Sequence, residues 1–575
     1  MPAPHSTRAR PAPRGGGFRG EPNPLLVREL RQSLRLQLLP WAMAAMIVIV
    51  GLSMLAVGSQ ASHGDRSSSE LGTVLFQGFL AVLLVYVALI GPATAASAIA
   101  SEREGKTLEP LLLTSLSARD VARGKFLAAY ATIGIQAVTM LPLAAIPFLF
   151  GGVGAAELAV GVVYVSAFAA AAVGLGLALA SRAQSLRGAL AVAIVLPAVS
   201  LPLFFATAAA LGSGLARGRW AFLPSGPFWW SSAYASVPFG LDYALWLILW
   251  PLVALGLPIW LFYVVAATNL SGPSEDRSTP VKRWFIAAAT ALSIAIDFTC
   301  LRVEATHAPA VAAIGMVVTL VLALTMATMI AGEPIVPSRL VRARWERTGA
   351  SALTRAIGPG LLRGVLLFVG LIVAMAAACF VGGSFGASQG ALRRHLGWMP
   401  GEAAPTGGTL GLAVLGTYVV MYAVFLFGFA AWLRTRQRAV QLQTARAWLV
   451  AVALLSTLVP WLLSAIARGF LDEPQKAMLV AAPSPAFGVT AFLSQLSLSG
   501  DDASTVMAAF TAALGWGFLG MVLIAISWER ARRSAGRAAK AEREEQERLD
   551  EEADEEAAEE EEAAVEPTPA PPQRA

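Results

Sequence analysis

The sequence predicts an all-α fold, a polytopic membrane bundle of about 12 transmembrane helices in two sets of six, with both termini cytoplasmic. Three observations carry this. The 575 residues are 56% hydrophobic and 14% charged, where ordinary soluble domains carry about 25% charge. Apolar windows of about 20 residues, enough for a helix to cross the hydrocarbon, recur along the whole chain. Of the 43 Lys and Arg, 35 fall in the segments that an even span count places with the termini and 8 in the others, the asymmetry that marks the cytoplasmic side. One missed or invented span would swap the loop sides downstream and blur it. The net charge of +6 then lies mainly against anionic headgroups and needs no nucleic-acid partner.

In chain order, Met1 to Gly20 is rich in Pro, Arg and Gly, and residues 1–22 are expected to be disordered. Asn23 to Leu38 starts with a helix-initiating Asn-Pro pair and sets Leu26, Leu30 and Leu34 at four-residue spacing, with Arg28, Arg31 and Arg35 on other faces. This is either a basic amphipathic helix in the inner interface or a positively charged flank that fixes topology. The first-half spans are Pro40–Val57, Thr73–Ser97, Phe126–Phe150, Glu157–Ala180, Gly188–Leu211 and Tyr243–Ala267. Small residues after the first resemble a signal-peptide cleavage site, but a polar lead of nearly forty residues favours a retained anchor. Between the fifth and sixth spans the outer segment Gly212 to Asp242 carries Trp220, Phe222, Phe228, Trp229, Trp230, Tyr234 and Phe239. So many aromatics suit a segment dipping into the interface, a re-entrant hairpin or an aromatic belt.

A cytoplasmic linker at 268–283 leads to the second set, Trp284–Val303, Ala308–Ala331, Leu361–Val381, Leu410–Trp432, Ala447–Ile466 and Val506–Trp528. Residues 529–575 turn from basic to strongly acidic to Pro-rich, and are expected as a charged disordered tail whose first part is open to helix.

Candidate chemistry is sparse. None of the four histidines has a metal-like or triad-like setting, and Cys300 and Cys379 lack metal-ligand spacing, so that no catalytic residue, cofactor site or metal site is expected in this chain. The two cysteines are either a disulfide pair or buried apolar residues. Asp297 is the one carboxylate well inside a span, with Arg302 and Glu304 nearer the outer end. It is a candidate for ion coupling or for pairing between helices.

The inner loop after the second span reads SEREGKTLEPLLLTSLSARDVARGKF. Its Gly105-Lys106-Thr107 triplet resembles the end of a phosphate-binding loop, but the earlier glycine would have to stand at Ala100, and no Gly-x4-Gly-Lys-Ser/Thr occurs in the chain. Helical spacing instead places Leu108, Leu111 and Leu112 on one face, with Leu116 close to that stripe. Such a face needs a partner groove or a lipid surface.

Here the chain resembles the ABC-2-type permeases, the membrane subunits of a class of ABC exporters. The resemblance rests on Glu102, Glu104, Gly105, Thr107, Leu108, Glu109, Leu111, Leu112, Thr114, Leu116, Ser117, Gly124 and Lys125 in that order. Lys106 is an insertion in the pattern, and Pro110 and Ser115 depart from it. The resemblance covers about Asn23 to Ala267; the inner loop of the second half is dominated instead by Arg339, Arg342, Arg344 and Arg347. It implies a 23–267 transmembrane domain with an elbow helix at Asn23–Leu38 and a coupling helix near Thr107 to Leu113. Glu102, Glu104, Gly105, Thr107, Leu108, Glu109, Leu111 and Leu112 would couple to the ATPase, and Phe228, Trp229 and Trp230 would stand at an outer gate. It implies a separate ABC ATPase subunit holding ATP and Mg, a homo- or heterodimeric arrangement, and the bacterial cytoplasmic membrane. Residues 284–528 form a second six-helix half. An ion-coupled secondary transporter using Asp297 and a structural subunit of a membrane complex are the alternatives.

Overall fold

The computed structural model describes residues 24–34, 38–62, 67–107, 110, 117–183, 185–223, 226–272, 275–395, 407–436, 442–471, 474–496 and 503–565. The described residues form helices and turns, with no strand among them. Among the described residues, eleven helices are long and apolar enough to span a membrane. The remaining expected span lies in the 25-residue helix Leu38–Ser62, whose described apolar stretch is Met43–Ala56. The chain divides into two compact units, 1–295 and 296–575.

In the first unit the helices are α1 Pro24–Leu34, α2 Leu38–Ser62, α3 Ser68–Glu104, α4 Ala118–Val138, α5 Leu141–Phe150, α6 Ala155–Ala180, α7 Leu186–Gly218, α8 Trp229–Ser236, α9 Leu241–Leu270 and α10 Thr279–Arg302, the last crossing the unit boundary. The long α3 is central and buries one face from Leu75 to Ala100. It crosses α6 at small residues: a Cβ on Gly176 would lie 2.2 Å from the Pro92 carbonyl oxygen. Membrane helices lack a hydrophobic drive towards one another, so close backbone approach at glycine supplies the packing.

Proline shapes α9. The helix widens to i→i+5 bonding over Ala244–Leu249 and Leu252–Gly256, on either side of Trp250 and Pro251. Pro251 has no N–H to give the Leu247 carbonyl four residues back, and the Tyr234 hydroxyl from α8 donates to that carbonyl instead.

In the second unit the helices are α11 Ala308–Ile330, α12 Arg339–Arg347, α13 Ala352–Ile357, α14 Leu361–His395, α15 Gly407–Thr435, α16 Leu442–Ala467, α17 Pro474–Leu479, α18 Phe487–Leu496 and α19 Ala503–Val565. Gly428 and Gly520 let α15 and α19 touch through backbone, with a Cβ on Gly428 only 2.5 Å from the Gly520 oxygen. Cys300 and Cys379 are both buried free thiols.

The two units repeat one internal plan. In each, the second span packs on the fourth (α3 on α6, α11 on α15), the fourth on the sixth (α6 on α9, α15 on α19), and short helices between the fifth and sixth fold back onto the fourth.

Residues 529–565, expected within a charged tail whose first part is open to helix, continue α19 as helix. Ala, Glu, Arg and Lys are strong helix formers, and pairs such as Arg533–Glu529 at 2.9 Å and Lys540–Glu544 at 3.5 Å add support one turn apart. The remaining tail, 566–575, and residues 1–23 lie outside the described residues.

Candidate functional site

The loop between α3 and α4 is mounted at both ends by local sequence. At its start, the Thr107 N–H reaches the Glu102 carbonyl at 2.9 Å and the Lys106 N–H the Arg103 carbonyl at 3.1 Å. This is the double bond of a Schellman cap, and Lys106 occupies the left-handed position with φ 55°. Lys106, an insertion by sequence pattern, is thus the residue that turns the chain out of α3. At the far end Ser117 and Asp120 form a reciprocal capping box, the Asp120 N–H donating to Ser117 Oγ and the Ser117 N–H to Asp120 Oδ2, each at 3.2 Å.

Between the helices that carry these two caps sits a buried cation. The Lys125 side chain is 0% exposed, although it carries an ammonium on a compact strongly hydrated head. Its Nζ donates to Glu29 Oε1 at 3.2 Å and to the Ala98 carbonyl at 2.9 Å. It lies 3.0 Å from Glu102 Oε2, an ion pair without hydrogen-bond angle, so that this oxygen is buried with no hydrogen-bond partner among the described residues. One ammonium therefore joins α1, α3 and α4. A lysine stripped of water is stable only with such compensation.

A second set of bonds extends the assembly to α6 and α9. Arg103 donates through Nη1 to the Ala183 carbonyl at 2.6 Å and through Nη2 to the Ser181 carbonyl at 2.8 Å, closing the end of α6. Asn269 on α9 donates to Ser181 Oγ at 2.8 Å and accepts from Arg182 Nε at 3.0 Å. Burial lowers the Arg182 guanidinium below its ordinary value, helped by the neighbouring charge of Arg277.

The predicted residues part company here. Glu102 turns inward onto Lys125, whereas Glu104, Gly105 and Thr107 are exposed. Leu108, Glu109, Leu111 and Leu112 lie outside the described residues, as does Arg35. Arg28 and Arg31 are exposed on α1. Among the described side chains of α1 the buried leucine is Leu25, one turn from Glu29, with Leu26 and Leu30 part-exposed, so the packed face is rotated from the Leu26–Leu30 pair. Glu29 and Arg103 were not expected to take part. Their signal is a single acid in a basic helix and a single base at a helix C-terminus, neither distinctive alone.

At the other end of this unit the aromatic segment folds in. Phe228, Trp229 and Trp230 are buried against α6 and α7: Trp230 stacks on Tyr164 with ring centroids 4.2 Å apart, Phe228 lies 5.9 Å from Phe205, and Trp229 covers Gly212. Phe222 and Phe239 are exposed. In the second unit, Asp297 Oδ1 is buried with no hydrogen-bond partner among the described residues, and a Cβ on Gly382 would lie 2.4 Å from it.

Among known proteins, no protein-family model and no curated protein matches the chain.

Proposed function

We propose that the chain is the membrane-spanning permease subunit of an ATP-driven ABC exporter, coupled to a separate ATPase subunit through the loop 101–125. The observation that supports this most directly is the Lys125 junction: a push on the loop would reach α1, α3 and α4 together, because one buried ammonium holds all three. Arg103 would carry the same displacement to the end of α6. Rigid mounting at both ends is what a coupling element needs, since a loose one would absorb the stroke of its partner. ATP would be bound and hydrolysed in the partner, and closure of that partner would tilt the spans so that a path opens past Phe228, Trp229 and Trp230.

The test is a detergent pull-down of the tagged full chain from its native membranes, wild type beside Leu112→Asp, with mass spectrometry for a Walker-type ATPase and an ATP hydrolysis assay. An ATPase that accompanies the wild type and is lost or uncoupled in the variant is the expected result. Absence of any ATPase, or unchanged stimulation in the variant, overturns the reading. The unpartnered buried oxygen of Asp297 favours ion-coupled transport as the second reading. In that case Asp297→Asn abolishes gradient-driven transport and no ATPase is required.

A further inference from the structure

A second cluster of complementary charge lies in the second unit. Beyond its apolar part α19 runs on as a charged helix, and there it meets the arginine helix α12. Arg339 Nε lies 3.4 Å from Glu542 Oε1, Arg339 Nη2 also bonds Glu545, and Arg342 Nη2 bonds Glu542 Oε1. Arg342 is the inner member: its Nε is buried with no hydrogen-bond partner among the described residues. The helix that presents these arginines is fixed from behind. Val341 is buried, the Arg363 guanidinium lies over the Trp345 ring at 5.6 Å, and Trp345 fills the space at Gly358, where a Cβ would be 2.3 Å from its ring.

Helix α12 follows the second span of its unit, the place that the loop 101–125 holds in the first. It carries Arg339, Arg342, Arg344 and Arg347 with one acid, Glu346, and leaves Leu340 exposed. A short basic helix with an exposed leucine at a span end has the chemistry of a headgroup-binding element. Two of its arginines are already taken by carboxylates of the chain itself.

We propose that α12 is a binding surface for anionic phospholipid headgroups, and that Glu542 and Glu545 of the α19 extension are its resident occupant, displaced when such lipid is present. Magnitudes favour an exchange over a permanent lock. Exposed ion pairs are individually weak, and the attraction of an arginine to an anionic bilayer surface is of the same order. Arg342 beside Glu542 holds that carboxyl below the usual carboxylate range, so the pair is fully charged at neutral pH. The proposal is independent of the exporter reading.

The test is amide hydrogen exchange on the full chain in nanodiscs of phosphatidylcholine alone and of phosphatidylcholine with phosphatidylglycerol. In phosphatidylcholine, residues 536–556 and 339–347 are both expected to be protected. With phosphatidylglycerol, exchange in 536–556 rises about fivefold, as loss of a few exposed ion pairs would give, while 339–347 stays protected. Glu542→Lys with Glu545→Lys raises exchange in 536–556 in both lipids, and adding Arg339→Glu with Arg342→Glu restores protection in phosphatidylcholine. Unchanged exchange in α15 shows that each variant is folded. Equal exchange of 536–556 in the two lipids overturns the displacement, and failure of the charge swap to restore protection overturns the contact itself.

Discussion

Lys125 is the residue on which the first unit's loop turns, and removing its charge has a calculable sign. Without the ammonium, Glu29 and Glu102 face each other with no cation, each side chain about one-seventh exposed (16% and 13%). Breaking a buried pair by deleting one partner costs about 3–5 kcal/mol, and the residual water at the two glutamates puts Lys125→Met at the lower end, about 3 kcal/mol. Thermal unfolding in detergent should therefore show a large downward shift, and Glu29→Gln in the same background should recover part of it; no recovery would mean that packing, not charge, sets the loss. Lys106 predicts the opposite sign. A non-glycine residue in the left-handed region costs about 1 kcal/mol, so Lys106→Gly should stabilise the α3 cap slightly, read as slower amide exchange at Gly105 to Thr107. At this scale the sequence marked Glu102 and Lys125 by their positions in a pattern. Their pairing was not legible, because 23 positions and a loop separate them, and Glu29 is further still; only the fold brings the three together.

Elements were far more legible than contacts. Each apolar window fell on helix, Phe126–Phe150 on the successive helices α4 and α5, because membrane-spanning length and lack of charge are properties of a segment alone. What escaped were features decided by neighbours, such as the proline-opened turns of α9, answered by Tyr234, and the length of the α19 continuation, open to helix in its first part by sequence and helical as far as Val565. The crossing of α3 and α6 supplies the test at this scale. At Gly176 a Cβ meets backbone, the Pro92 carbonyl oxygen at 2.2 Å, so nothing can rotate aside. Gly176→Leu should then destabilise by about 3 kcal/mol or more, seen as poor recovery of folded protein in detergent size-exclusion. Gly134 has open space around the position of a Cβ, and Gly134→Ala should leave recovery unchanged. Equal behaviour of the two variants would mean that α3 and α6 do not cross at this glycine.

The whole molecule is a plan used twice, with the polar groups placed differently: the first unit buries its charge at Lys125 between α1, α3 and α4, and the second places arginines on α12 against α19. Sidedness decides what either arrangement can do, and the distribution of Lys and Arg predicts it. Two exposed positions test it. Phe239 lies in the aromatic segment of the first unit and Leu353 in the arginine-rich loop of the second, and both are well exposed. The native Cys300 and Cys379 are buried, which shields them from a reagent in water. Phe239→Cys should react with a membrane-impermeant maleimide in intact cells stripped of any outer barrier, and Leu353→Cys only after permeabilisation. The reverse pattern would put the arginine-rich loops, 101–125 among them, on the side without ATP, and the exporter reading would fall with the orientation. Labelling of both in intact cells would mean an odd number of crossings between the two positions is wrong, since Phe239 precedes α9, α10 and α11 and Leu353 follows them. Three helices crossing once each must set the two residues on opposite sides, so the single comparison examines the crossing count and the orientation together.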